Sequence, residues 1–266
     1  MAHTPDKRPG RRIQSVEIAF SILDAVRKND QRNVTELADE LGHSKSTIHS
    51  HLRTLESQEI IVRHGDGYRL SLQVLDMAND VRNQIGNYEV IVDEVDKLST
   101  ETGEIAQFGL EEHGKVSYLY KAMGNQAVET ASRAGGKQPI YSTSLGKAIA
   151  AFLPADRQET IVDAAAFEPK TPKTITDPGS FYEELTTIAE RGYAIDDEEN
   201  IEGLRCVAAP VRNGKSVLGA VSITGPVSRI AEDDLHGEVA EGVQRAANVI
   251  ELNTKFSHTG SRPGSS

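Results

Sequence analysis

Residues 42–56 read GHSKSTIHSHLRTLE, and the first half of the chain takes its fold from this stretch. Ile48, Leu52 and Leu55 recur at helical spacing and form one apolar stripe. The opposite side carries Lys45, Ser46, His49, Ser50 and Arg53. These are short hydroxyls, an imidazole and two cations, the types that hydrogen-bond to base edges and phosphates. Ser44 is placed to cap the helix, helped by Thr47. A helix about 10 Å across fits the major groove of B-DNA, and its first N–H groups point at phosphates.

Reading outward toward the N-terminus, Val34, Leu37, Ala38 and Leu41 predict a helix of about two turns, capped by Asn33 or Thr35 and ended by Gly42. Before the polar break KNDQRN, the positions Val16, Ala19, Phe20, Leu23 and Val26 predict another helix, with Ser15 as its N-cap. Reading the other way, IIVRH and YRL flank Gly65-Asp66-Gly67 and predict a hairpin. Helix, helix, tight turn, helix and hairpin over 13–70 make a winged helix-turn-helix. On its wing, Arg63 and Tyr68, with His64 and Arg69, are expected to reach the DNA backbone or minor groove. Residues 1–12 read as a flexible basic arm whose Arg11 and Arg12 follow the minor groove. His51, three residues beyond Ile48, reads as a half-buried, satisfied histidine. His43, His49, His51 and His64 show no metal-ligand spacing.

The whole chain has 266 residues, enough for two domains, and 38% hydrophobic residues, enough for packed cores. No apolar run approaches the roughly 20 residues of a membrane helix. The N-terminus MAHTPDKRPGRRIQ lacks the apolar core of a secretory signal. A single cysteine excludes a disulfide framework. These features place the protein in the cytoplasm, away from membranes. The net charge of −11 is unevenly spread. Residues 1–70 hold eleven Lys and Arg against ten Asp and Glu, whereas residues 71–266 hold eighteen against thirty. That asymmetry points to a nucleic-acid end and an acidic body.

Past the wing, Leu72, Leu75, Met77, Ala78, Val81 and Ile85 predict a linker helix over 71–87 with one apolar side for a partner chain. Residues 88–256 alternate helices (88–101, 145–153, 156–164, 180–191, 232–254) with strands (105–110, 116–121, 206–211, 217–224). His113-Gly114, Asn213-Gly214 and Gly225-Pro226 supply turns. The expected fold class is α+β with an antiparallel sheet, and residues 257–266 read as a disordered tail.

With these segments placed, the sequence resembles the IclR-type transcriptional regulators over nearly all of 13–255. The likeness rests on GHSKSTIHSHLRTLE and EIIVRHGDGYRL, then on YSTSLGKAIAAFL and RGYAIDDEENIEGLRCVAAPVRNGKSVLGAVSITGP. The second pair is the more specific. Ser50 and His51 stand where the family usually has Arg and Leu, which bears on the preferred DNA sequence and not on DNA binding itself, and Ser71 stands where it usually has Gly. The resemblance implies a dimer or dimer of dimers on a pseudo-palindromic operator, and a GAF-like C-terminal domain that binds a small organic effector from a carbon-catabolic pathway, often an organic acid or an aromatic or sugar-derived metabolite.

Carried over by motif, the resemblance assigns Ser144 and Leu145 at a helix start, Asp196 and Cys206, and Ser222 and Thr224 to the effector site. Ser142 and Thr143 add hydroxyls, and Leu204, Met123 and Phe108 are candidates for apolar walls. Ser222 and Thr224 alternate with Val221 and Ile223, so both face one side of a strand. No cofactor, metal or catalytic residue is expected. TSLGKA lacks the GxxxxGK[ST] of a phosphate loop, since Ala148 follows Lys147 and Tyr141 stands at the first glycine position. The alternative reading is a thiol redox sensor or a cysteine-dependent enzyme built on Cys206.

Overall fold

The computed structural model describes residues 12–29, 31–214 and 216–259, with side chains at the C-terminal end described through Thr254. They fall into two compact units that divide between Gln84 and Ile85. The expected arm, apart from Arg12, lies outside the described residues.

The first unit contains α1 (Gln14–Lys28), α2 (Val34–Leu41), α3 (Lys45–Ser57), the hairpin β1 (Ile61–His64) and β2 (Gly67–Leu70), and most of α4 (Gln73–Ile85). α2 begins in a capping box, in which Asn33 accepts from Glu36 N–H while Glu36 accepts from Asn33 N–H. It ends at Gly42, whose φ of 68° is the left-handed conformation that glycine adopts without strain. Ile18, Ile22, Leu37, Ile48, Leu52 and Ile61 form the core. α1 departs from expectation. Its cap residue is Ile13, with no side-chain cap bond, and not Ser15. Its buried residues are Ile18, Ile22, Ala25 and Val26, whereas Val16 and Phe20 are exposed. The helix carries two apolar stripes at the same period, so periodicity alone could not choose between them.

The second unit opens with α5 (Tyr88–Thr102) and is built on a six-stranded sheet. Its strands are β3 (Ile105–Glu112), β4 (Lys115–Met123), β5 (Lys137–Pro139), β6 (Ala194–Asp197), β7 (Leu204–Asn213) and β8 (Ser216–Pro226), in spatial order β5-β4-β3-β8-β7-β6. All the pairings are antiparallel. One face packs Phe108, Val207, Val221 and Ile223 against α5 and α9 (Glu238–Thr259). The other packs Val116, Ala208 and Ala220 against α6 (Ser144–Ala150), α7 (Ala155–Ala164) and α8 (Pro178–Arg191). β5 and β6 were not expected, and α9 continues to Thr259, past the expected boundary at 256.

α6 lies close against the backbone of Ile140. A Cβ added at Gly146 would stand 2.1 Å from the Ile140 carbonyl oxygen, a contact no real side chain tolerates. At Gly242 in α9 the nearest atom outside its own helix is 3.5 Å away, an ordinary contact. Gly146→Ala is therefore expected to cost about 3 kcal/mol of stability. Gly242→Ala should be neutral or stabilising by up to about 1 kcal/mol, since alanine is the better helix former. Denaturant titration of the two variants checks the contrast.

Candidate functional site

The first candidate surface is the outer side of α3. Ser44 Oγ accepts from Thr47 N–H at 3.1 Å, and the two hydroxyls bond each other at 2.8 Å, which pins the first turn. Ile48 and Leu52 are fully buried, and their burial fixes the rotation of the helix about its axis. That rotation leaves Lys45, Ser46, His49, Ser50 and Arg53 exposed together. His51 is half-buried, and its Nδ1 donates to the Thr47 carbonyl at 2.8 Å.

On the wing, Arg63 is exposed. Tyr68 is not at the surface, and the expectation that it touches DNA is corrected. Its backbone N–H donates to Arg32 O, so the loop before α2 pairs with β2 and turns the ring into the core, at 3% exposure. Arg63 stacks on that ring, 5.6 Å from its centroid. Arg12 is exposed at the start of α1, and Arg11 lies outside the described residues.

The second candidate is a cavity of about 50 Å³ in the C-terminal unit. Ser144 and Leu145 reach it from α6, Asp196 from β6, Cys206 from β7, and Ser222 and Thr224 from β8. Sheet register brings the strand residues together. Asp196 is paired with Cys206, Cys206 with Thr224, and Ser222 with Gln107 of β3. Thr143 and Leu204 also line the cavity. Met123 is half-exposed and not part of it, and Phe108 is buried on the opposite face of the sheet among the α5 and α9 contacts.

Sequence reasoning missed Gln107, Tyr118, residues 130–132, Gln138, Asn200 and Ile201. Gln107 was the findable one, being a lone polar residue inside the apolar run IAQFGL. Its amide donates to Ser132 Oγ at 2.7 Å. Lys121 Nζ holds the same segment by bonds to Thr130 O, Thr130 Oγ1 and Ser132 O.

Asp196 is 2% exposed. Its Oδ1 accepts from Glu199 N–H at 2.7 Å and from Asn200 N–H at 3.2 Å, which closes the turn after β6. Burial, reinforced by the nearby Glu199 charge, pushes its carboxyl up to about 7, against the opposing pull of Lys147 and the two N–H donors. Lys147, from the LGKA motif, is 1% exposed. Its Nζ sits 2.5 Å from Glu199 Oε1 and 3.4 Å from Glu184 Oε1, and Glu184 also accepts from Arg191 at 3.0 Å. This amine is committed to carboxylates and is not a phosphate ligand.

Thr224 Oγ1 donates to Cys206 Sγ at 3.2 Å. Burial and the Asp196 carboxyl push the Cys206 thiol well above its ordinary range, the reverse of an activated nucleophile. Burial also raises the Tyr118 hydroxyl. Among the described residues no cluster of His, Cys, Asp and Glu is placed to hold a metal ion, and no helix is long and apolar enough to cross a membrane.

Residues 15–65 match the family model described as IclR helix-turn-helix domain, and residues 87–252 match that described as Bacterial transcriptional regulator IclR C-terminal. The chain is 36% identical over 247 residues to a probable HTH-type transcriptional regulator ArcR of Halobacterium salinarum, covering 91% of this chain and 94% of the relative. It is 32% identical over 250 residues to the glycerol operon regulatory protein of Streptomyces coelicolor, covering 90% and 96%. The crystal structure of the Thermotoga maritima IclR superposes with a TM-score of 0.77 at 29% identity, covering 91% of this chain and 98% of that one.

The Asp196 environment has a measurable consequence. A carboxyl that ionises near pH 7 when folded, and near 4 when unfolded, favours folding below about pH 4. That advantage is lost as pH rises from about 4 through about 7, by up to roughly 4 kcal/mol. Asp196→Asn removes the titration while keeping an acceptor for the two N–H groups. The variant is expected to gain stability relative to wild type as pH rises across this window, and parallel unfolding titrations at about pH 5 and pH 8 measure it. A constant difference between the two proteins would mean that Asp196 ionises normally.

Proposed function

The chain belongs to the IclR family of transcriptional regulators, with a helix-turn-helix DNA-binding domain and a C-terminal effector-binding domain, and from that premise we propose which of its residues perform each task. The outer face of α3 reads the operator. Lys45, Ser46, His49, Ser50 and Arg53 face base edges and phosphates in the major groove, and Arg63 of the wing and Arg12 reach the backbone. The observation that carries this reading is the single rotation of α3, which buries Ile48 and Leu52 completely and exposes all five polar side chains at once. Ser44 and Thr47 serve by fixing the first turn through their mutual hydrogen bonds.

The cavity under α6 is the effector site, with Asp196, Cys206, Ser222 and Thr224 on its sheet side and Ser144 and Leu145 on its helix side. Regulation of a glycerol operon is named for the Streptomyces coelicolor relative and belongs to that protein; for this chain the effector is a small catabolic metabolite. The protein acts as a dimer on a pseudo-palindromic operator, or as a dimer of dimers. α4 buries no residue within the chain, and Leu75, Met77 and Val81 on it stay exposed, as does the α1 stripe of Ile13, Val16 and Phe20. A second copy covers these surfaces. Effector binding favours one dimer geometry, and by linkage DNA alters effector affinity by the same factor. No catalytic step is assigned to the cavity, and the raised Cys206 thiol speaks against redox or nucleophilic use.

Fluorescence anisotropy with duplex DNA from upstream of the protein's own gene tests the DNA assignment. Lys45→Ala and Arg53→Ala should each weaken binding by roughly 5- to 100-fold and flatten its salt dependence. Tyr68→Phe should leave affinity within about two-fold, because the ring points inward and contributes no DNA contact. Unchanged operator affinity after replacing all five outer side chains of α3 would overturn it.

A further inference from the structure

The cavity under α6 is smaller than its task requires. At about 50 Å³ it holds roughly four water-sized groups, whereas sites for small organic ligands usually enclose about 300 Å³ or more. A metabolite enters only if one wall yields. The sheet wall is fixed by the pairing of Asp196 with Cys206, Cys206 with Thr224, and Ser222 with Gln107. Every residue of α6 is buried, so that wall is packed from both sides. The turn after β6 is tied at its backbone. Asp196 Oδ1 accepts from the N–H groups of Glu199 and Asn200, Thr171 and Thr174 donate to the Glu199 carbonyl, and Glu198 N–H donates to Leu204 O.

The remaining wall is the segment between β4 and β5, which brings Thr130, Ala131 and Ser132 to the cavity. Its ends are anchored by backbone bonds, Gln126 N–H to Gly103 O at one end and Gly135 N–H to Tyr118 O at the other. Between those anchors, residues 128–132 make no backbone–backbone hydrogen bond to any described residue, and Val128 and Ala131 are exposed. A stretch held so lightly is the part of a fold that opens first. Side chains from the sheet hold it instead. Lys121 of β4 and Gln107 of β3 are register partners, so they stand side by side on one face. Lys121 Nζ donates to Thr130 O at 3.2 Å, Thr130 Oγ1 at 3.1 Å and Ser132 O at 3.0 Å. The Gln107 amide adds a bond to Ser132 Oγ at 2.7 Å. Three of the four bonds therefore come from one ammonium, and bonds from a charged donor are the stronger kind.

We propose that Lys121 is a positioning residue of the effector site: its ammonium latches residues 128–132 over the cavity, and release of that latch is the step that admits the effector. The inference rests on reading this cavity as the effector site. Lys121 does not line the cavity itself, so it acts through Thr130 and Ser132, which do. Without the latch the segment keeps its two anchored ends and loses the hold on its middle, which widens access and leaves the sheet and α6 in place.

Cys206, the chain's single cysteine, lines the cavity and reports its opening. Full-length wild type and Lys121→Met are labelled at about pH 8 with two reagents, the bulky dianion dithiobis(nitrobenzoate) and the much smaller, neutral methyl methanethiosulfonate. In each case the Cys206 thiolate attacks sulfur and forms a mixed disulfide, releasing thionitrobenzoate or methanesulfinate. Lys121→Met should raise the ratio of the bulky to the small labelling rate about ten-fold or more. Loss of a cation by itself slows a dianionic reagent, and a shifted thiol pKa moves both rates alike, so a higher ratio reports access. Thr130→Val removes one of the three acceptors and should raise the ratio about two- to three-fold, which keeps the test if Lys121→Met fails to fold. An unchanged or lower ratio overturns the inference. So does an equal rise in Lys173→Met, whose amine holds the turn after β6 through Asp197 and Glu198. The effector-site reading is checked separately. Wild type carrying the methylthio adduct on Cys206 should change its affinity for duplex DNA from upstream of its own gene by about three-fold or more, reversed by dithiothreitol. That change with an unaltered labelling ratio sinks the latch and leaves the effector site standing. No change in DNA affinity sinks the effector-site reading, and this inference with it.

Discussion

The register of four antiparallel strands is the constraint on which the cavity depends. Asp196, Cys206 and Thr224 stand opposite one another across β6, β7 and β8, and Ser222 stands opposite Gln107 across β8 and β3. Side chains alternate between the faces of a sheet, so a slip of one residue at any of these pairings would send a polar group to the α5–α9 side. That side is filled by Phe108, Val207, Val221 and Ile223, which are almost entirely buried. The apolar core and the polar cavity are thus two readings of one alternation. Burying Val221 and Ile223 on one face obliges Ser222 and Thr224 to occupy the other.

The electrostatics follow from where that polar face is placed. α6 covers it, and Lys147 and Asp196 are left almost without exposure to water. An amine removed from water is tolerable only when paired, and Glu199 and Glu184 supply the partners. With those charges matched, the remaining acid is the one that faces the cavity, and its proton affinity rises because burial, reinforced by the Glu199 charge, outweighs the pull of Lys147 and the two N–H donors.

α3 was legible in the sequence because its two sides differ in kind, aliphatic at 48, 52 and 55 and polar opposite, and because Ser44 and Gly42 punctuate it. α1 was less legible because it is apolar on two sides, Ile18, Ile22 and Ala25 turned inward and Ile13, Val16 and Phe20 turned out. Tyr68 misled for a different reason. Whether a wing tyrosine faces out or in depends on the pairing of Arg32 with β2, a contact across 36 positions of chain that no local pattern encodes. β6 was missed because its four residues, AIDD, end in two acids and look like a loop. Their strand character comes from pairing with β7, where Asp197 is met by Arg205. The six effector-site candidates came from motif resemblance; of the residues that complete the cavity, Asn200 and Ile201 lie within the same motif as Asp196, whereas Gln107, Tyr118, residues 130–132 and Gln138 lie on other segments that only folding brings near.

α4 shows how far a single chain goes toward explaining itself. Thirteen residues of helix in water are marginal unless an apolar face is covered. Val74, Met77, Ala78, Val81 and Ile85 lie along one side of it, yet none of them is buried. The α1 stripe poses the same problem in the same unit, with Phe20 at 66% exposure. Two apolar helix faces on one small unit exceed what a soluble surface normally leaves open. A second copy would remove both from water at once. It would also place a second α3 beside the first, so the surface that stabilises the linker helix would be the one that sets the spacing of the two recognition helices along DNA. In that arrangement an effector needs no direct contact with the DNA-binding unit to change operator affinity. It need only favour one relative placement of the two copies over another, and the free energy available for regulation is bounded by its preference between them.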